Sequence, residues 1–137
     1  MKKILEYSGL LLVSLLLTAC ATTPFKVADR YNFDNELKEA KEISSLRIKS
    51  WESIDVQSLI IENDLKDYYL LILNRPAPAL PSAESIGVTR TVNKIKKGFD
   101  NIVVPDSSGT ESYIIHNIYK LESRDQATEI KNRLKRY

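Results

Sequence analysis

The only histidine of this 137-residue chain, His116, limits the acid–base chemistry that the sequence can offer. A serine nucleophile needs a histidine beside it, and Ser107 and Ser108 are the serines that tempt such an interpretation. The surrounding run, residues 105–109 (P-D-S-S-G), has the composition of a turn, and the chain contains no nucleophile-elbow motif. We therefore interpret His116 as a half-buried strand residue rather than as a catalytic base.

Acidic residues are the next candidates for chemistry, because carboxylates can bind hard cations or work in pairs on glycosidic bonds. Four of them surround a predicted hairpin, but their spacing lacks the glycine and terminal glutamate of a calcium loop. One histidine and one cysteine cannot supply a zinc site. We predict a solvated hairpin, with no metal, no cofactor and no catalytic residue; a glycosidase-like pair stays open. The four residues are Asp55, Glu62, Asp64 and Asp67.

The single cysteine, Cys20, stands at the end of an apolar stretch near the N-terminus. Lys2 and Lys3 precede an apolar run over residues 10–17, which Ser14 alone interrupts, and small residues follow. A basic start, an apolar run and small residues before a cleavage point are typical of a secretory signal. The apolar segment is shorter than the ~20 residues that a spanning helix needs, which disfavours a permanent transmembrane anchor.

The stretch Leu17-Thr18-Ala19-Cys20 resembles the lipobox of bacterial lipoproteins. The resemblance implies cleavage before Cys20, a diacylglycerol on its sulfur and, in many bacteria, a third acyl chain on its amine. A thiolate is a suitable nucleophile for this step, and two or three acyl chains anchor a protein stably. The alternative is a lone apolar cysteine at the end of an ordinary signal or anchor.

Ala21 stands where an aspartate would imply retention in the inner membrane, so the resemblance implies the periplasmic side of the outer membrane. The inner membrane and the cell surface stay open. We predict a signal peptide over residues 1–19, a lipidated Cys20 with a short tether over 20–32, and a single α+β periplasmic domain over 33–137. Without the signal, 18 basic and 17 acidic residues remain, a balance that does not indicate a nucleic-acid partner.

Two helices are predicted at the ends of the domain. Apolar residues from Phe33 to Ile43 follow steps of four, three and three, which favours a helix over residues 33–43. Ser123 and Gln126 have the spacing of a capping box and are followed by an amphipathic run to the C-terminus.

Between the helices the pattern indicates five to six short antiparallel strands that form a curled sheet or a small barrel, an α+β fold. A hairpin is predicted where two apolar runs flank a five-residue polar connection, and Pro76 ends its second strand. The last strand has apolar residues on both faces, which favours a central position. The predicted strands begin near Leu46 and then cover residues 57–62, 68–73, 88–96, 101–104 and 112–121, with a helical turn or tight loop over 79–87.

A basic run and a lone tryptophan are the remaining candidates for binding. Arg90, Lys94, Lys96 and Lys97 either protect an exposed strand edge or contact an envelope protein or anionic lipid. We interpret Trp51 as an anchor in the core in preference to a platform for a ligand.

Four stretches of the domain resemble a family of small proteobacterial lipoproteins, domain-of-unknown-function family 6491. In order they cover most of residues 44–122, and the family supplies no catalytic residue to transfer. The stretches are 50–55 (S-W-E-S-I-D), 69–78 (Y-L-L-I-L-N-R-P-A-P), 97–100 (K-G-F-D) and 118–121 (I-Y-K-L).

The hypothesis that these observations favour is a non-enzymatic, membrane-anchored lipoprotein that binds or supports an envelope partner. A small-ligand or lipid-binding barrel is the alternative, and it requires an enclosed apolar cavity. An envelope hydrolase of an unrecognised type is the third, and it requires His116 or an acidic pair in a cleft.

Overall fold

The fold is mostly β: a curled antiparallel sheet that forms half of a barrel, with one helix at the C-terminal end. The computed structural model describes residues 25–44 and 47–137. The predicted signal peptide and Cys20 lie outside these residues. The described strands are β1 (Lys38–Ala40), β2 (Glu42–Ile43), β3 (Ile48–Ser53), β4 (Ser58–Asn63), β5 (Tyr68–Leu73), β6 (Gly87–Val88), β7 (Ile95–Lys96), β8 (Asn101–Asp106) and β9 (Gly109–Leu121), and the helix α1 is Arg124–Leu134.

The long strand β9 organises the sheet because three other strands pair with it. Its second half pairs with β5 along one edge, while β8 and then β1 pair with it along the other edge. The order across the main sheet is β3-β4-β5-β9-β8-β6, and β2 and β7 form a separate pair. Because its partners change along its length, β9 connects the parts of the curled sheet. The predicted central position of this strand is confirmed.

Side chains cover both faces of the sheet, so the central strands are apolar at nearly every position. Leu71 and Ile115 point into one core, which the β2–β7 pair and the segment around Leu80 close. Leu70 and Ile72 point into a second core, which α1 and the N-terminal segment close. This two-sided burial explains why β5 reads as an unbroken apolar run rather than an alternating one.

Several local predictions are confirmed, because short-range hydrogen bonds determine them. In the β4–β5 hairpin, Asn63 Oδ1 accepts hydrogen bonds from the amides of Leu65 (3.0 Å) and Asp67 (2.8 Å). At the start of α1, Ser123 Oγ accepts one from the Gln126 amide at 3.1 Å. The segment before β6 contains one 3₁₀ turn, Leu80–Ser82, as the loop prediction allowed.

The predicted N-terminal helix over residues 33–43 is wrong. A single helical turn forms, in which the amides of Glu36 and Leu37 donate to the Phe33 carbonyl, and the chain then continues as β1 and β2. Phe33 and Leu37 pack in the core beneath α1, whereas Ile43 packs in the opposite core. The apolar spacing therefore reflects burial on two sides of the sheet, and strand pairing outweighs a weak helical propensity.

The predicted strand over residues 88–96 is also wrong as a continuous element. β6 and β7 occupy its ends, and a tight turn from Thr91 to Lys94 separates them, closed by reciprocal backbone hydrogen bonds of 2.8 and 3.1 Å. The two central residues, Val92 and Asn93, have φ angles of 52° and 61°, which extended backbone does not allow. The described sheets accordingly hold nine strands instead of five or six.

Candidate functional site

A β-bulge at His116 shapes the surface on which the N-terminal segment lies. Ile72 pairs with Asn117 and Leu73 pairs with Ile115, so His116 is an extra residue in β9. Bulges redirect side chains and are frequent beside functional sites. The side chain of His116 is exposed rather than half-buried, contrary to the sequence-based interpretation, and it lines a surface groove.

That groove, of about 460 Å³, lies between residues 25–34 and the bulge of β9. Tyr31, which is 1% exposed, holds the N-terminal segment in place: its hydroxyl donates to Asp55 Oδ2 at 3.0 Å and accepts from Arg30 at 2.5 Å. Burial, followed by the Asp55 carboxylate, raises the pKa of Tyr31 to about 12. The packed part of the chain therefore includes Tyr31, which the sequence placed in the tether.

A second buried tyrosine, Tyr119, fixes the other end of the same segment. Its hydroxyl donates to Asp34 Oδ1 at 2.8 Å and accepts from the Phe33 amide and from Asn117 Nδ2, each at 3.2 Å. Burial and the hydrogen bond to Asp34 raise the pKa of Tyr119 to about 12. A phenol that keeps its proton in this way anchors the segment and does not transfer protons near neutral pH.

The turn over residues 97–100 contacts β9 on both sides of the bulge residue, at Ile115 and Asn117. The Gly98 amide donates to the Ile115 carbonyl at 2.6 Å, and Lys97 Nζ lies 3.4 Å from Asn117 Oδ1. Gly98 has a φ of 77°, a conformation that glycine adopts without strain. The turn is thus fixed against β9 by its backbone.

The buried carboxylate of Asp100 joins this turn to the tight turn before β7. Asp100 Oδ2 accepts from the Lys96 amide at 2.7 Å, and Oδ1 accepts from the hydroxyls of Thr89 and Thr91, both at 3.1 Å. Three donors compensate the desolvation of the carboxylate. Sequence reasoning missed this role, because no periodic pattern marks a single aspartate whose donors lie four to eleven residues away.

The basic run that was predicted as a partner surface lies on β7 and on the turns that flank it. Lys94 Nζ is 2.6 Å from Glu42 Oε1, and Lys97 forms an ion pair with Glu39. The hydrogen bond from Lys94 is the main reason that the pKa of Glu42 lies below its usual value. Two of the four predicted cations are therefore paired with carboxylates of β1 and β2, while Arg90 and Lys96 belong to the same stretch of surface.

Exposed apolar side chains gather around these turns. Val92 is 84% exposed, Phe99 is 78% exposed and Phe25 is 57% exposed, and Ile114 on β9 is exposed beside His116. Among the described residues, only Leu65 and Tyr137 are further large apolar side chains with such exposure. No pattern in the sequence distinguished these exposed apolar residues from buried ones.

The remaining candidates for chemistry are not brought together. Ser108 forms hydrogen bonds with Asp106 in the turn before β9. Seven strand residues separate it from His116, which corresponds to ~26 Å of extended chain. Asp55 caps the turn before β4 through Gln57 and Ser58. Within residues 25–44 and 47–137, no group of three potential metal ligands occurs.

A groove of about 520 Å³ lies between α1 and the strands β3 and β4. Four of its charged side chains form two ion pairs: Lys49 Nζ is 3.2 Å from Glu62 Oε1, and Lys131 bonds to Glu52. The hydrogen bond from Lys49 lowers the pKa of Glu62. Trp51 is half-buried on β3 and packs against the core, as the core-anchor interpretation predicted.

Comparisons with known proteins agree with the resemblance found in the sequence. The model of a family of unknown function, DUF6491, matches residues 1–136, almost the whole chain. No curated protein and no solved structure shows a match. None of the helices in the described part of the chain is long and apolar enough to cross a membrane.

Proposed function

Because the chain belongs to this family, whose function is unknown, we propose a role from its own residues: an outer-membrane lipoprotein anchored through Cys20. Its domain faces the periplasm and serves as a binding or support module for an envelope partner. The observation that carries the proposal is the order of the N-terminal signals, in which a basic start and an apolar run lead to Leu17-Thr18-Ala19-Cys20.

The spacing between Cys20 and the packed domain supports this role. Four residues separate Cys20 from Phe25. The five steps from one Cα atom to the next span at most ~18 Å in a fully extended chain. Tyr31 and Phe33 are already buried in the core beneath α1. A lipid on Cys20 would therefore keep the domain close to the bilayer, whereas a long tether would let it reach far into the periplasm.

The polar groups buried in the domain support a module rather than a catalyst. Asp55, Asp100 and Tyr119 each direct their hydrogen bonds at the chain's own loops, and those loops define the surface. A polar group whose hydrogen bonds are all made within the protein makes the scaffold more rigid. The unrecognised hydrolase has less support, because the exposed His116 lies far from Ser108.

The small-ligand or lipid-binding barrel remains the alternative function. It requires an enclosed apolar cavity, and the core that the β2–β7 pair closes is the place where one would lie. Leu71, Leu73 and Ile115 are fully buried there and pack with the β2–β7 pair. Three grooves of the described surface lie elsewhere and are open to solvent: one beside α1, one beside the His116 bulge and one between β1 and the end of β9.

Mass spectrometry of the mature protein tests the anchor. We expect the N-terminal peptide of the wild type to begin at Cys20 and to carry diacylglycerol with or without an amide-linked acyl chain. The Cys20→Ala variant should retain residues 1–19 and carry no lipid. An unmodified Cys20 within an intact N-terminus would contradict the proposal.

Crosslinking in intact envelopes tests the module. A photoreactive residue in place of Thr128, which is exposed in the groove beside α1, should yield one reproducible adduct with an envelope protein. The same residue in place of Ser107, in the turn before β9, is the matched exposed control. If both positions give the same scattered adducts, or none, the binding role is wrong.

A further inference from the structure

We propose that the surface around the His116 bulge is the face that contacts the membrane, with Phe25, Val92 and Phe99 entering the interfacial layer of the bilayer. The inference rests on the proposed lipid anchor at Cys20 and adds an orientation to it. It commits to a lipid bilayer as the occupant of this surface. The bilayer is the partner that an acylated Cys20 would bring within reach.

A series of contacts through β9 links the N-terminal segment to the turn of residues 97–100. Residues 25–34 line one wall of the groove, and His116 and Asn117 line the other. Lys97 contacts Asn117, and Gly98 bonds to the backbone of β9 next to the bulge. Phe99 follows directly in this turn. The N-terminal segment and the turn that carries Phe99 therefore both adjoin Asn117 of β9.

The position of the exposed apolar residues supports a membrane contact. Single exposed apolar residues are common on soluble domains and need no explanation. Four of the six large exposed apolar residues of the described chain are connected to this surface. Phe25 lines the groove with His116, and Phe99 and Ile114 adjoin the Gly98–Ile115 hydrogen bond. Val92 follows Thr91, whose hydroxyl bonds to Asp100 in the same turn as Phe99. Aromatic and aliphatic tips flanked by lysines are typical of surfaces that lie in the membrane interface.

The backbone at Val92 adds a second, independent observation. Type I′ turns, in which both central residues have positive φ, strongly favour asparagine or glycine. A β-branched residue with a φ of 52° is strained, and this one is also almost fully exposed. Backbone strain at a residue whose side chain makes no buried contact indicates a role in function rather than in folding. Insertion of the valine into a bilayer supplies such a role.

Charge adds a smaller contribution. The ion pairs of Lys94 with Glu42 and of Lys97 with Glu39 leave the basic run only partly available for anionic headgroups. Each lysine or arginine near an anionic surface makes only a modest contribution to binding. We expect apolar insertion to dominate, so contact with the bilayer should depend more on Phe99 than on the anionic lipid content.

Site-directed labelling of the lipidated protein tests the orientation. The protein is extracted from membranes and reconstituted into vesicles of phosphatidylethanolamine and phosphatidylglycerol, some with brominated acyl chains. Phe99→Cys and Val92→Cys receive a polarity-sensitive fluorophore. Leu65→Cys is the matched control, since Leu65 is also an exposed apolar residue in a tight turn, at the far end of the β4–β5 hairpin.

The labels at Phe99→Cys and Val92→Cys should be quenched by brominated lipid roughly threefold more than the label at Leu65→Cys, with emission shifted to the blue. Equal quenching at all three positions overturns the inference. The inference is also overturned if the label emission shifts to the blue in native envelopes but not in vesicles that contain no other protein. The surface would then contact a protein rather than the bilayer.

A thiol count on the same proteins before labelling separates the two proposals. A lipidated Cys20 leaves one reactive thiol in each variant and none in the wild type. One reactive thiol in the wild type refutes the lipid anchor itself. No reactive thiol in the wild type together with unquenched labels refutes only the orientation.

Discussion

The backbone amide of Lys96 donates a 2.7 Å hydrogen bond to the carboxylate of Asp100, which is 3% exposed. The other oxygen of the same carboxylate accepts two threonine hydroxyls. One aspartate thus holds together the two turns that carry Val92 and Phe99. The relative position of these two turns in the proposed membrane face therefore depends on this side chain.

Replacement of Asp100 should therefore destabilise the protein strongly. We expect Asp100→Ala to lower the free energy of unfolding by ~3 kcal/mol, because the Lys96 amide and two hydroxyls lose their acceptor in a buried place. Asp106→Ala removes hydrogen bonds in an exposed turn and should cost less than ~1 kcal/mol. Urea unfolding measures both. Equal losses for the two variants would show that Asp100 does not organise the turns.

The turn at Val92 makes a prediction of opposite sign. Val92→Asn should raise the free energy of unfolding by ~1 kcal/mol, because asparagine tolerates positive φ and valine does not. Val92→Thr keeps the branch at Cβ and should leave stability nearly unchanged. If this surface contacts the membrane, Val92→Asn should be more stable than the wild type and yet lose contact with the bilayer. Unfolding of the variant cannot produce this combination. Thermal unfolding of the three proteins decides the stability part.

Alkaline pH should weaken the fold through two tyrosines. The pKa values of Tyr31 and Tyr119 are raised to about 12 in the folded protein, against 10.0 for an unperturbed tyrosine. As the pH rises through 10, the unfolded chain releases these protons first. Their contribution is complete below pH 10 and is lost between pH 10 and about 12.

Tyr31→Phe and Tyr119→Phe should each flatten this part of the stability profile. Each also loses stability at pH 7, since Asp55 or Asp34 loses a donor. Urea unfolding at a series of pH values between 8 and about 12 measures the slope. A double variant whose profile runs parallel to that of the wild type would refute the assignment.

Sequence patterns identified the elements whose signals are local. The β4–β5 hairpin and the cap of α1 depend on side chains that bond within four residues of themselves, as Asn63 and Ser123 do. The N-terminal helix failed for the converse reason. Phe33 and Leu37 have helical spacing, yet Tyr119, more than 80 residues away, decides where Phe33 lies. One-dimensional periodicity does not distinguish a helix face from a segment shared between two cores.

The sequence identified only part of the candidate surface. The basic run was recognised from composition, but its ion pairs with Glu39 and Glu42 come from β1 and β2, which the sequence had assigned to a helix. Phe99 looked like any other apolar residue, because exposure depends on the tertiary fold. The positive φ of Val92 could not be predicted from the sequence, since the turn residue there is one that such turns avoid.

The cap of α1 provides a final test of how far local signals determine the fold. Ser123 Oγ accepts the Gln126 amide, and Gln126 Oε1 accepts the Glu122 amide at 2.7 Å, so two backbone donors depend on these side chains. Ser123→Ala should lower the free energy of unfolding by ~1 kcal/mol. Thr128→Ala is the control, because its hydroxyl only bonds back to the Arg124 carbonyl within the helix. That change should be neutral or slightly stabilising. If both variants lose the same amount in urea unfolding, helix propensity rather than capping determines the stability of α1.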